Sequence, residues 1–273
     1  MILNIIKLSL ILTLSIVGSF LVFGFLIGYI QGKTNINLLK TFGKKGIIAT
    51  NFIGTTVHEL SHYIMCIIFL HKVDKVKLFS FKLNESGVLG EVQHSYNKKS
   101  IYQRIGNFFI GVAPIFVGAI VLILSIRLLL PTTFIRILEG KTISNFLASL
   151  EFTTLAGYIS FIIDVLKNCL KYIFTIENFT NVRFWIFIII AFSVSTHMTL
   201  SKADLKNSKD GLITIFLLSI LISIILMLFY SYKSFIFRLL ILFNSFLILI
   251  LSIGLFFSIL SFLISAVFAQ IKK

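Results

Sequence analysis

Residues 54–70, GTTVHELSHYIMCIIFL, decide how this chain is read. The run is apolar enough for a bilayer-crossing helix, yet it carries His58, Glu59 and His62. On a helix, positions i and i+4 share a face, so the two imidazoles point the same way with Glu59 beside them. His-Glu-x-x-His suits zinc for a geometric reason. Two ring nitrogens one turn apart can take two corners of a tetrahedron at about 2.0–2.1 Å, leaving corners for a third ligand and a water. Glu59 is then placed to take a proton from that water. The apolar setting strengthens the metal reading, because three ionisable side chains in hydrocarbon cost several kcal/mol unless they are paired or metal-bound. The plainer alternative is a histidine pair packed in a helix bundle, with Glu59 as its buried partner.

The surrounding composition agrees with a membrane setting. A chain of 273 residues with 58% hydrophobic content, 30 phenylalanines and a mean hydropathy of +1.02 is not a soluble globular domain, in which only about half of the residues are apolar. The expected fold is an all-α polytopic membrane protein of about six transmembrane helices, with a small β-hairpin between the second and third spans. The formal net charge of +15 would point to nucleic acid in a soluble protein. Here Lys and Arg lie mostly between apolar runs, so the lipid bilayer, through anionic headgroups, is the expected partner and nucleic acid is not. Cys66 and Cys169 lack Cys-x-x-Cys spacing and offer neither a disulfide framework nor a thiolate zinc site.

Working outward, Gln31–Lys45 is polar and basic and reads as a loop or short interfacial helix. It separates a first span, Leu8 to about Ile30, from the metal-motif span, Ile47–Leu70. The first run is too long for a secretory signal and lacks a small-residue cleavage site, so it reads as a retained span. After the motif, DKVKLFSFKL and VLGEVQHSY flank the turn signal Asn84–Gly87 and predict a β-hairpin, with His71 and His94 as solvated or interfacial side chains. Ile105–Leu130 is a third span, in which small residues permit close helix approach and Pro114 introduces a kink. Charges interrupt Pro131–Asn181, which reads as amphipathic helices in the interface. Three further spans follow, Arg183 to about Lys206, Gly211 to about Tyr232 and Phe235 to about Gln270. The chain thus divides into an N-terminal helix and linker (1–46), a core (47–211) and two C-terminal helices (212–273).

A catalytic zinc keeps three protein ligands and one open position. The fourth expected span carries His197 and Asp204, seven residues or two helical turns apart, and either can complete the set. Asp210 is a further carboxylate nearby in sequence.

The chain resembles the site-2 protease family of intramembrane zinc metalloproteases. The likeness lies in His58-Glu59-Leu60-Ser61-His62 within an apolar helix, a hairpin after it, a Gly/Pro-containing span at GVAP, and a later span ending in a carboxylate. It covers roughly Gly54–Gly211. In that family the third ligand is the Asp of a Leu-Asp-Gly motif, so the resemblance implies Asp204, within Leu200-Ser-Lys-Ala-Asp204-Leu. The chain departs from the pattern in having no proline before Asp204, no glycine directly after it, and Asn107 upstream of the middle-helix Asn position. Asp210-Gly211 is a literal Asp-Gly, but it opens the next span.

The resemblance implies a zinc metalloendopeptidase that hydrolyses peptide bonds in or next to transmembrane segments of membrane-protein substrates, with Glu59 activating a zinc-bound water. It also implies that the hairpin and the zinc end of the helices face the cytoplasm, in a multi-pass protein of the bacterial cell membrane. The competing expectation is a membrane protein with a structural or transport zinc site, or a relative that has lost catalysis. Oligomeric state is not legible.

Overall fold

The computed structural model describes residues 2–81, 89–139, 155–228 and 233–272. Helix α1 (Ile2–Ile68) leads into strands β1 (Lys72–Lys77) and β2 (Glu91–Ser95), and α2 (Ile101–Leu129) follows. Then come α3 (Pro131–Glu139), α4 (Leu155–Ile173), α5 (Ile176–Phe179), α6 (Val182–Thr196), α7 (Lys202–Leu228) and α8 (Lys233–Ile271).

The two N-terminal spans expected from hydropathy are limbs of one bent helix, and the polar stretch between them is not a loop. Lys, Asn and Thr are compatible with a helix, and Thr34 and Thr41 return their hydroxyls to the carbonyls of Ile30 and Asn37 at 3.0 and 2.8 Å. The bend comes at Gly43, whose φ of 67° and ψ of −163° lie in a region essentially restricted to glycine. The limb before it is roughly 60 Å long at 1.5 Å per residue, well beyond a hydrocarbon core of about 30 Å.

Helix α1 ends in a left-handed turn. Leu70 has φ 57°, and the His71 N–H reaches back to the Cys66 carbonyl at 2.8 Å. The turn delivers His71 into a buried position beneath the hairpin. Strands β1 and β2 pair antiparallel, with Val76 opposite Val92 and Lys77 opposite Glu91, and a bulge lies between Val73 and Lys75. The expected turn Asn84–Gly87 lies outside the described residues.

Four of the described helices, α1, α2, α7 and α8, are long and apolar enough to cross a membrane, which makes this a membrane protein. The expected spans, about six, are not confirmed among the described residues. The first two share α1, and the fourth is the 15-residue helix α6, which stops at Thr196 instead of running on to about Lys206. Its last residues give way to the non-helical Met198–Ser201, so Asp204 belongs to the first turn of α7.

Within 131–181 the described parts are helical. On α4, Val165, Cys169 and Ile173 are buried at a four-residue spacing, while Asp164, Lys167 and Lys171 are exposed. Residues 140–154, with Glu151, lie outside the description.

One buried cluster joins these elements. Val17, Phe20 and Ile27 of α1 meet Phe108, Ile115 and Leu122 of α2, Phe184 and Phe187 of α6, and Leu251 and Phe257 of α8. Large apolar side chains such as Leu14, Phe25, Ile189, Leu217 and Leu263 are exposed instead, as a lipid-facing surface requires.

Candidate metal centre

His58 and His62 stand one turn apart on the second limb of α1, and the first turn of α7 brings Asp204 to them. The three ligand atoms lie within 4.8 Å of one another. His58 Nε2 is 3.2 Å from His62 Nε2, and the Asp204 carboxylate lies 3.4 Å from His62 Nε2 and 3.9 Å from His58 Nε2. Two ligands about 2.0–2.1 Å from a tetrahedral ion are about 3.3 Å apart, which the His58–His62 and His62–Asp204 Oδ1 distances match, while the 3.9 Å to His58 is longer and belongs to Asp204 Oδ2. Among the described residues no fourth His, Cys, Asp or Glu joins the cluster.

The tautomers support the same arrangement. His58 Nδ1 donates to the His197 carbonyl at 2.9 Å, and His62 Nδ1 donates to the Ile110 carbonyl at 2.8 Å. A carbonyl can only accept, so both Nδ1 atoms carry the proton and a neutral ring leaves Nε2 bare. Two bare nitrogens 3.2 Å apart, with a carboxylate beside them, repel one another unless a cation sits between them. The His58, His62 and Asp204 group can therefore hold a metal ion, and its nitrogen and oxygen donors suit several divalent ions.

Each ligand is fixed from behind. The Gly54 N–H donates to Ser193 Oγ at 2.9 Å, and the same hydroxyl donates to the Thr50 carbonyl at 2.8 Å. Ser193 thus bridges the helix ladder one turn before His58. A Cβ at Gly54 would lie 2.1 Å from the Ser193 carbonyl oxygen and 2.2 Å from His197 Nδ1, so only glycine admits α6 this closely. A Cβ at Gly111 of α2 would meet Ser208 Oγ at 1.8 Å and the Asp204 carbonyl at 3.0 Å, which makes Gly111 the contact that seats α7. Asp204 itself sits in a reciprocal cap. The Ser201 N–H donates to Asp204 Oδ2 at 2.8 Å, and the Asp204 N–H donates to Ser201 Oγ at 3.1 Å.

The other sequence candidates are engaged elsewhere. The His197 ring donates from Nδ1 to the Ser193 carbonyl at 2.8 Å, and only its main-chain carbonyl serves the centre. Asp210 receives Arg104 Nε and Nη2 at 3.1–3.2 Å and the Tyr96 hydroxyl at 3.2 Å, an ion-pair knot tying the residue just after β2 to α2 and α7.

Buried Glu59 lies where two cavities meet. One, of about 350 Å³, is bordered by His62, Asp204, Asn207 and the β2 residues Glu91, Val92 and His94. The other, of about 430 Å³, is bordered by Gln31, Asn35, Lys44, Asn51 and Thr55. His58 and Glu59 line both.

His71, expected as a solvated or interfacial side chain, is buried because α2 supplies its partner. His71 Nε2 donates to the Gln103 carbonyl at 2.8 Å, and its Nδ1 is 3.0 Å from His94 Nδ1. Burial pushes both rings below the ordinary histidine range. One Nδ1 of the pair donates to the other, and His94 lines the first cavity.

Several of these parts escaped the sequence reading: the Ile110 and His197 carbonyls and Ser201. For Ser201 a signal was available, since Ser-x-x-Asp at 201–204 is a helix-start pattern. No family model matches this chain, and neither does any curated protein or solved structure.

Proposed function

We propose that this protein is an intramembrane zinc endopeptidase of the site-2 protease kind, cutting peptide bonds in or next to transmembrane segments of other membrane proteins. The observation that carries the reading is the convergence of His58, His62 and Asp204, on two membrane helices, at a cavity that Glu59 shares. His58, His62 and Asp204 hold the zinc, and Asp204 is the third ligand. A zinc ion so held supplies Lewis acidity, polarising a peptide carbonyl and acidifying water.

Glu59 takes a proton from water as the oxygen attacks the carbonyl carbon. It then returns that proton to the departing amide nitrogen, so acid and base are one group and no other co-reactant is needed. A structural zinc site uses ligands alone, so a carboxylate held at the cavity without coordinating favours the hydrolytic reading over a structural or transport site.

A substrate helix must unwind before its carbonyls can be attacked, and unpaired backbone in lipid is costly. Strand β2 borders the cavity with Glu91 and Val92 and, among the described residues, pairs only with β1, so an extended substrate can pair with its other edge. The hairpin's lysines favour a cytoplasmic side for this end.

The test is Glu59→Gln in the full-length protein, with cleavage of a membrane-spanning peptide and metal content both measured. Cleavage falls by about 10²- to 10⁴-fold while metal is retained. Equal cleavage by the variant overturns the role of Glu59. A metal-replete wild type that cleaves no membrane peptide favours the structural or transport reading.

A further inference from the structure

The His62 ring is held by a carbonyl that a helix ordinarily keeps for itself. In an unbroken α-helix the carbonyl of residue 110 accepts the N–H of residue 114. Residue 114 is Pro114, inside α2, and proline has no N–H to give. The Ile110 carbonyl is thereby released from the ladder, and it is the atom 2.8 Å from His62 Nδ1. The pairing is buried, where a carbonyl without a donor is disfavoured, so the released oxygen and the ring N–H each meet the other's need. His58 is served in a parallel way, since its acceptor is the carbonyl of His197 at the C-terminal cap of α6. Both imidazoles thus take carbonyls that lie outside the helix ladder, one left over by a helix end and one by a proline.

We propose that Pro114 is a positioning residue for the metal centre. By withholding an N–H it reserves the Ile110 carbonyl for His62, and this selects the tautomer that presents Nε2 to the ion. The inference rests on His58, His62 and Asp204 as a metal site and does not depend on proteolysis. Pro114 is also buried with Ala113 and Ile115 in the bundle, so packing and helix bending are the rival roles. The two accounts part over which carbonyl is freed. A proline at position 113 still bends the same turn, but it releases the carbonyl of Phe109.

The experiment uses full-length protein in detergent, stripped of metal and titrated with Zn²⁺. Three forms are compared: wild type, Pro114→Ala, and the double variant Ala113→Pro/Pro114→Ala. Both variants bind Zn²⁺ about 10- to 100-fold more weakly than wild type, the size of effect seen when a ligand histidine loses its orienting partner. The ¹⁵N spectrum of the metal-free wild type places the His62 proton on Nδ1, and in Pro114→Ala that preference is lost. Wild-type affinity in Pro114→Ala overturns the inference. Wild-type affinity in the double variant alone also overturns it, because the bend and not the freed carbonyl would then be what matters. If a variant does not fold, the wild-type spectrum decides, and a proton on His62 Nε2 counts against the proposal. A wild type that binds no Zn²⁺ overturns the metal site itself, an outcome distinct from wild-type-like variants.

Discussion

A carboxylate that is to hold an ion needs a restraint of its own, and Asp204 takes one from the helix it begins. The Ser201–Asp204 cap ties Oδ2 to a main-chain N–H at 2.8 Å and leaves Oδ1 turned toward His62. Ser201→Ala removes the hydroxyl half of that cap. It should cost about 1 kcal/mol at the start of α7 and weaken Zn²⁺ binding by roughly tenfold, with Ser201→Thr close to wild type. Calorimetric titration checks this, and undiminished affinity in Ser201→Ala would mean that the cap does not position the carboxylate. At this scale, what was legible in the sequence was what is local. His58, Glu59 and His62 could be read together because one helical turn relates them. Asp204 and His197 could not be ranked by spacing, because the two-turn relation assumed one continuous helix and the chain breaks between them. The carbonyls that orient the imidazoles belong to residues whose side chains give no hint of the role.

At the scale of the element, the hairpin was legible from its two β-prone runs, but its docking was not. Alternation says which residues share a face and nothing of what covers that face. His71 is buried only because a left-handed turn at Leu70 and the Gln103 carbonyl of α2 converge on it. The polar stretch before Gly43, expected as a loop or short interfacial helix, lies inside one long helix for a related reason. Lysines and threonines mark a loop between apolar runs, yet a helix carries them readily when its hydroxyls bond back along the turn. For the hairpin, the reading makes a specific claim about strand β2. Proline at a β2 position whose N–H points away from β1 should lower cleavage at least tenfold and leave metal content unchanged, since only an edge available to substrate is lost. Cleavage at the wild-type rate with such a proline in place would remove β2 from substrate binding.

At the scale of the whole molecule, hydropathy found the apolar runs but not how they are joined into helices. It cannot see that one helix continues through a polar stretch, or that an apolar run ends after 15 residues at a cap. Close approach is what assembles the centre. The metal-motif limb of α1 lies against α6 at Gly54, and α2 lies against α7 at Gly111, so ligands far apart in sequence meet within the bundle. Two cavities reach the same pair, His58 and Glu59, and under the proposed function they give water and an extended chain room beside the metal.

The most direct measurement of this account is metal analysis with X-ray absorption on the purified full-length protein, beside Asp204→Ala. The account predicts one zinc per chain, bound by two imidazoles and oxygen ligands at about 2.0–2.1 Å, and a loss of zinc in the variant. A protein without stoichiometric metal, or one whose zinc shell is unchanged in Asp204→Ala, would contradict it.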